Sequence, residues 1–457
     1  MPLSKDDRDF LRAVNRRVTD RALEPDDPLR QPLHEQMNED DPVMIMQSRI
    51  DLADVQTMQL FSGFDGSGKT TELFRLRRNL REQGYIVLYA QATTYVNYVE
   101  PLTIADMLMI TAGAFSDALK NDLGIDVGAN SFWDRLTGTV TRIAEGQTTL
   151  AAKLEYTSPG HSLLGGLKAG LDIKQELKTG SDFRRKLTEF LTTNLVQLQK
   201  DVEQFFEDGA KAIWQKEQSE EIQIVFIFDQ LEQLKGDYRN WQAVIRSVQQ
   251  VFSVHLDRLR MPYVHCVYSV PAWLAFLAPR PPDMTLLPTV RLWNRTQERS
   301  PYTRGHAMFR SLVHRRLNDA DAARLFGPDA GADGGPIDRL IAACGGHVRD
   351  LLRLIENILA RATALPVSLA VVDRVISAAR RDFLPIALDD ARLLHDIAIK
   401  QNLEPETLDE IAIERLSRFF NTHLAMYFEN GDAWYDTNPL IRDEVERILT
   451  DNPPPPE

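Results

Sequence analysis

The octapeptide GFDGSGKT, running from Gly63 to Thr70, constrains this chain more than any other stretch. It follows the apolar run TMQLFSG and precedes ELFRLRRNL, whose apolar spacing is helical. The pattern G-x-x-x-x-G-K-[ST] between a strand and a helix serves one chemistry. Glycines let consecutive backbone N–H groups turn inward around a phosphate. The positive end of the following helix dipole points at the same anion. Lys69 can reach the β- and γ-phosphates, and the Thr70 hydroxyl can bind Mg²⁺. Gly63, Phe64, Asp65, Gly66, Ser67, Gly68, Lys69, Thr70 and Thr71 are therefore the expected nucleotide contacts. The next apolar run, GYIVLYAQA, reads as a second buried strand, so strand, loop, helix and strand form a βαβ unit of a parallel sheet. Guanine selection would call for an N-K-x-D late in the sheet; the chain has none, which points to ATP.

A second run, IQIVFIFDQLEQL at 222–234, rises to Asp229. An aspartate at the carboxyl end of a central strand is the expected partner of the phosphate loop and, with Thr70, the expected Mg²⁺ shell. Hydrolysis also needs a group that orients and polarises the attacking water. Gln230 can orient water but cannot take its proton. Glu232 lies three residues beyond Asp229, and a helical turn there brings both to one face. Glu232, Asp229 and Lys69 are the expected catalytic set, with an ordinary solvated glutamate as the alternative for Glu232.

Two further positions complete the candidate site. Ser269 ends the run YVHCVYSV, expected beside the Asp229 strand, where it could bond the γ-phosphate or the water. In CGGHVRDLLRLIENIL, Arg349 falls in the first turn of a helix. A cation there opposes the helix dipole, so a nearby anion is expected. Residues 291–316 carry seven arginines against Glu298 alone. One of them could act across a subunit interface, or the cluster could simply be solvated or paired with acids.

The rest of the chain organises around these motifs. Residues 1–42 read as an N-terminal arm, a short helix and then a loose segment broken at EPDDP and NEDDP. Residues 43–304 form the phosphate-binding core, with an α/β insertion at about 95–220. Inside it, GLKAGLDIKQEL alternates with period two and suggests a half-exposed strand. SDFRRKLTEFLTTNLVQLQKDVEQFF places Phe183, Leu187, Phe190, Leu191, Leu195, Leu198, Val202 and Phe205 on one face of a long helix. That face either packs on the sheet or offers a seam to a partner. LPTVRLW reads as one more strand. Residues 305–383 are expected to be a helical lid. In 384–450, two helical patterns precede a hairpin with its turn at Asn430-Gly431, then a closing helix. Residues 451–457 are a Pro-rich tail.

These elements together resemble the Walker A, Walker B, sensor 1 and sensor 2 elements of AAA+ and STAND ATPases. GFDGSGKT, IVFIFDQLE, YSVP and GGHVRDLL carry the resemblance. The last unit is similar to the winged-helix domain that follows the lid in STAND proteins and origin-recognition initiators. Asp-Gln-Leu-Glu departs from the Asp-Glu pair of AAA+ motors. The resemblance implies an α/β P-loop sheet flanked by helices, then a helical lid and a winged helix. It implies an ATP- and Mg²⁺-dependent switch of bacterial signalling or antiviral defence type. Such switches work as homo-oligomers that control a separate effector or sensor protein.

Two alternatives stay open: an initiator-type ATPase that loads on DNA, and a scaffold that holds ATP without hydrolysing it. The whole chain carries −13, and residues 384–457 hold six basic against sixteen acidic residues. Phosphate neutralisation needs the opposite sign, so nucleic acid is possible but disfavoured. The two cysteines exclude a disulfide framework and fit a cytoplasmic protein. The charged N-terminus lacks a signal core, and no uninterrupted apolar stretch suggests a membrane span.

Overall fold

A computed structural model describes residues 3–37, 41–127, 132–136, 178, 182–234, 236, 239–276, 281–403 and 410–453. The alternating stretch at 166–177 lies outside the described residues, as do the last four of the tail and most of the helical pattern at 131–145.

Five short apolar runs become one sheet: β1 (Met58–Gly63), β2 (Ile86–Gln91), β3 (Ile224–Asp229), β4 (Val264–Val270) and β5 (Met284–Leu287). Their order is β2-β3-β4-β1-β5, and every pairing is parallel. Side chains of a strand alternate between faces. Val225 and Ile227 accordingly face one buried cluster, and Ile224, Phe226 and Phe228 face another. Helices cover both sides, which is why β3 and β4 are buried along their whole length and read as apolar runs. The fifth strand is MTLL rather than LPTVRLW. Pro288, which has no N–H to give a ladder, follows its last residue.

Among the described residues the main helices are, in chain order, α1 (Lys5–Val18), α2 (Leu33–Met37), α3 (Pro42–Asp51), α4 (Lys69–Glu82), α5 (Ile104–Leu123), α6 (Asp182–Thr193), α7 (Leu195–Glu217) and α8 (Trp241–Gln249). The long helix expected from residue 181 onward is broken at Asn194 into α6 and α7. The Asn194 amide donates to the Phe190 carbonyl at 2.9 Å, a local bond that competes with helix continuation. Among the described side chains of that apolar face, Leu187, Phe190, Leu191, Leu198, Val202 and Phe205 are buried and Leu195 is half-buried against them. Next to Phe205, Phe206 stacks on Phe115 of α5 at 4.1 Å, and Phe115 meets Phe226 of β3 at 5.6 Å. This face packs on the sheet and is not a free seam.

Five helices follow the sheet: α9 (Thr303–His314), α10 (Asp319–Phe326), α11 (Pro336–Cys344), α12 (Val348–Arg361) and α13 (Leu369–Arg381). A second group is α14 (Leu388–Lys400), α15 (Glu410–Asn421), the antiparallel pair β6 (Ala425–Asn430) and β7 (Asp432–Thr437), and α16 (Arg442–Asp451). Helix, helix, hairpin and helix make a winged-helix arrangement after a parallel α/β sheet and a helical region. The hairpin departs from a two-residue turn. Its register pairs Asn430 with Asp432 and leaves Gly431 at the apex with φ +89°, a conformation that favours glycine.

The N-terminal arm is anchored rather than loose. Arg75 of α4 is nearly inaccessible and pairs with Asp41 at 2.6 Å and with Glu72 at 2.6 Å. Arg30 reaches Glu72 at 3.6 Å and also pairs with Glu35. Arg77 holds Glu24, and Arg17 of α1 reaches Asp321 of α10 at 2.8 Å. These pairs stretch residues 20–34 across the mouth of the phosphate loop. Among the described residues no helix is long and apolar enough to cross a membrane.

Candidate functional site

The phosphate loop leaves β1 and enters α4. Gly66 has φ +80°, and a Cβ there would meet the Arg349 side chain at 2.6 Å. The loop is glycine at that point both for its backbone and because an arginine lies across it. The Lys69 ammonium donates to the carbonyls of Gly63 and Phe64 at 3.0 and 2.8 Å. It also lies 3.4 Å from Glu232 Oε1, with both side chains almost wholly buried.

β4 lies between β1 and β3, so Asp229 reaches the loop across one strand. The Thr70 hydroxyl donates to Asp229 Oδ2 at 2.7 Å, and the Tyr89 hydroxyl donates to the same oxygen at 2.9 Å. Burial, and then the neighbouring Glu232 charge, push the Asp229 carboxyl above its ordinary range. A nearby cation would offset both effects. Hydroxyl and carboxylate oxygens are the hard donors that Mg²⁺ takes. Thr70 and Asp229 therefore fit that ion.

Glu232 sits on a single 3₁₀ turn, Leu231–Gln233, right after the strand. Gln230 adopts φ +72° to make that turn, which swings Glu232 back toward Lys69. The Ser269 hydroxyl donates to Glu232 Oε2 at 2.7 Å and accepts the Leu231 N–H at 3.1 Å. Ser269 is fully buried and does not line the cavity; it orients the carboxylate that does.

A cavity of about 360 Å³ opens beside the loop, in the size range of small-molecule sites. Asp65 to Thr71, Gln230, Glu232 and Arg349 line its polar end. Ala22, Leu23 and Leu33 of the arm, with Leu312, Val348 and Leu352 from α9 and α12, supply apolar lining. Gly63, Phe64 and Asp229 do not line it: the first two give carbonyls to Lys69, and Asp229 stands behind Thr70. Phe64 points away to Phe420 of α15, 5.4 Å between ring centres.

Arg349 has the anion that its place in α12 called for. It donates to Asp65 of the loop at 2.6 Å and to Asp20 of the arm at 2.5 Å. The arginines of 291–316 divide by environment. Arg299 pairs with the fully buried Asp436 at 2.8 Å, and Arg310 with Asp333 and Asp338. Arg291 stacks on Tyr302, and Arg295 is exposed. Arg316 lines the cavity, buried, with the carbonyls of Leu29 and Leu312 as its partners. Burial lowers it to about 10.

Sequence reasoning did not find Asp20, His34, Tyr89 or Arg316. His34 is buried at the cavity, and its Nε2 has no hydrogen-bond partner. Burial lowers its pKa. Only Arg316 carried a signal, as one of seven arginines with no feature to set it apart. Cys266 and Cys344 are buried free thiols, each pushed up to about 12 by burial.

No family model matches the chain, and no curated protein matches it. Among solved structures it is similar to the ORC2 protein of Aeropyrum pernix in its ADPNP–ADP complexes. The identity is 12%, the match covers 95% of this chain and 96% of that one, and the TM-score is 0.40. The ADP form of that protein gives 11% identity, 96% and 98% coverage and a TM-score of 0.39. CDC6P of Pyrobaculum aerophilum gives 10%, 95% and 96%, and 0.33. Likeness of this degree assigns no role to any residue.

Proposed function

We propose that the chain binds ATP at the Gly63–Thr71 loop, hydrolyses it slowly, and uses the bound state to change how its arm, lid and C-terminal unit are held together. One observation carries this reading. Arg349 of α12 bridges Asp65 in the phosphate loop and Asp20 in the arm, directly over the cavity. The polyphosphate is a stronger anion than either carboxylate. Its arrival draws Arg349 away from them and so moves α12 relative to the arm.

The adjacent loop residue, Phe64, transmits the change to the C-terminal unit. It touches Phe420, which stacks on Phe276 at 4.3 Å, and Phe276 meets Tyr435 of β7 at 5.4 Å. Asp436 holds the same unit through Arg299 and Arg442. Lys69 positions the phosphates, and Thr70 with Asp229 would hold Mg²⁺. Bound there, the ion supplies charge neutralisation on the β- and γ-phosphates. Glu232, oriented by Ser269, takes the proton of the attacking water once Lys69 has turned to the phosphate.

The unit that moves acts on another protein in a cytoplasmic assembly that also contains further copies of this chain. The exposed tip of the hairpin is acidic, with Glu429 and Asp432. Arg415 and Arg418 of α15 are paired with Asp389 and Asp390 of α14. Phe419 and Phe420 of that helix are buried. These features support a protein-facing wing. The STAND-type and defence assignment draws only on the sequence resemblance.

The helix, helix, hairpin, helix order favours a second reading, an initiator-type ATPase acting on DNA. Salt-dependent binding to duplex DNA that is lost in Arg415→Ala and Arg418→Ala would establish it. The main reading is tested by equilibrium binding of a fluorescent ATP analogue and by steady-state hydrolysis. Lys69→Ala is expected to abolish binding while the far-ultraviolet circular dichroism stays unchanged. Retained micromolar binding in that variant would refute the site. Binding without turnover in the wild type would favour the scaffold instead.

A further inference from the structure

We propose that His347, Asp350 and His423 form a site for a transition-metal dication of Zn²⁺ type, which pins the lid to the C-terminal unit. The three residues come from two places in the fold. His347 is the cap before α12, Asp350 lies in the first turn of α12, and His423 ends the turn between α15 and β6. Their ligand atoms all lie within 4.8 Å of one another. His347 Nδ1 stands 3.0 Å from Asp350 Oδ2, and His423 Nδ1 stands 3.5 Å from the same oxygen. Donors about 2.0–2.1 Å from a tetrahedral zinc ion are about 3.3–3.4 Å apart along each edge. The two measured separations straddle that value.

The unpaired atoms point the same way. His347 is 1% exposed, yet neither of its ring nitrogens makes a hydrogen bond of acceptable direction. A shared proton requires a nearly straight N–H···O line. A metal ion sits off that line, toward the common focus of the lone pairs. An unpaired buried His347 Nδ1 beside a second imidazole, 4.1 Å between ring centres, is costly unless something joins them.

The site has an entrance and a free position. Asp350 and His423 line a second cavity of about 430 Å³, from which a water can complete the coordination. Asp65 and Arg349 line both this cavity and the nucleotide cavity. Arg353 and Arg418 also face it; Arg418 is neutralised by Asp390 at 2.6 Å. Two imidazoles and a carboxylate suit Zn²⁺, Co²⁺ or Ni²⁺ over Mg²⁺, whose preference is all-oxygen. The His423 ring is 6.3 Å from that of Phe64, so a metal here would stiffen the contact between phosphate loop and C-terminal unit.

The test uses the full chain without a histidine tag, free of nucleotide and stripped with a chelator. Co²⁺ is titrated while its visible ligand-field absorption is followed, and Zn²⁺ is used to displace it. One equivalent is expected in the wild type, with affinity at least tenfold weaker in His347→Gln, Asp350→Asn and His423→Ala. His314→Gln, at an exposed histidine away from both sites, is expected to bind as the wild type does. Zn²⁺ should raise the thermal midpoint of the wild type but not of Asp350→Asn, the most exposed of the three positions. Absence of a bound equivalent in the wild type overturns the proposal. Equal binding in the wild type and all three variants overturns it as well.

Discussion

Replacing Glu232 by Gln keeps size and hydrogen bonding and removes only the base. The Ser269 hydroxyl would still have an acceptor at the position of Oε2, now 2.7 Å away, so the turn should hold its shape. What disappears is a carboxylate 3.4 Å from Lys69. Loss of a general base slows a reaction by roughly 10²- to 10⁴-fold. At about 1.4 kcal/mol per decade this is about 2.8–5.6 kcal/mol of barrier. Nucleotide affinity should stay the same or tighten, because a negative group facing the phosphates is gone and Lys69 loses its competing partner. Asp229→Ala should fail differently, losing Mg²⁺-dependent affinity and turnover together. Ser269→Ala should lower turnover without altering affinity, since Ser269 acts through Glu232. Gln230→Glu should be neutral or faster. Single-turnover hydrolysis of pre-bound ATP separates these outcomes. An unchanged rate in Glu232→Gln refutes the assignment and leaves Gln230 or a group from another subunit to position the water.

Two further outcomes follow from buried charge. Arg75→Ala leaves Glu72 and Asp41 without their main partner and should cost about 3–5 kcal/mol in urea unfolding, the range for breaking a buried pair. His34 is buried with its folded pKa depressed below the unfolded value near 6.5, so the unfolded chain binds the proton more tightly. Its contribution to stability is present above pH about 6.5 and is lost as pH falls below that toward the folded value. Thermal midpoints measured from pH 7.5 to 5 should fall, and His34→Gln should flatten the decline.

The parts of the site that follow one strand or one loop were legible in the sequence. GFDGSGKT, the Asp229 strand and the neighbouring Ser269 strand stand where backbone periodicity and loop chemistry require. Glu232 was legible as a position but not as a contact: a left-handed Gln230 turns it toward Lys69, and non-glycine residues give little warning of that conformation. Arg349 was readable because a cation in the first turn of a helix needs an anion. Its partners were not, because Asp20 lies 329 residues away in the chain. The arm was hardest to read. Its breaks at proline and aspartate suggest a loose segment, whereas Arg30 and Arg75 bind it down through pairs that no local pattern encodes. The strand MTLL was too short to stand out beside LPTVRLW, and the Asn194 break was hidden by an apolar face that runs through it.

The central claim is that nucleotide at the phosphate loop is felt simultaneously in the arm and in the C-terminal unit, through Arg349 and Phe64. Hydrogen–deuterium exchange on the full chain, with and without saturating Mg²⁺-ATP, measures this most directly. In the wild type, ATP should alter protection across residues 20–34 and across 415–437 as well as in the phosphate loop. In Arg349→Ala, which should still bind ATP, the response of the arm should disappear. Protection that changes only at residues 63–71 when ATP is bound, or a response in Arg349→Ala identical to the wild type, would contradict the account.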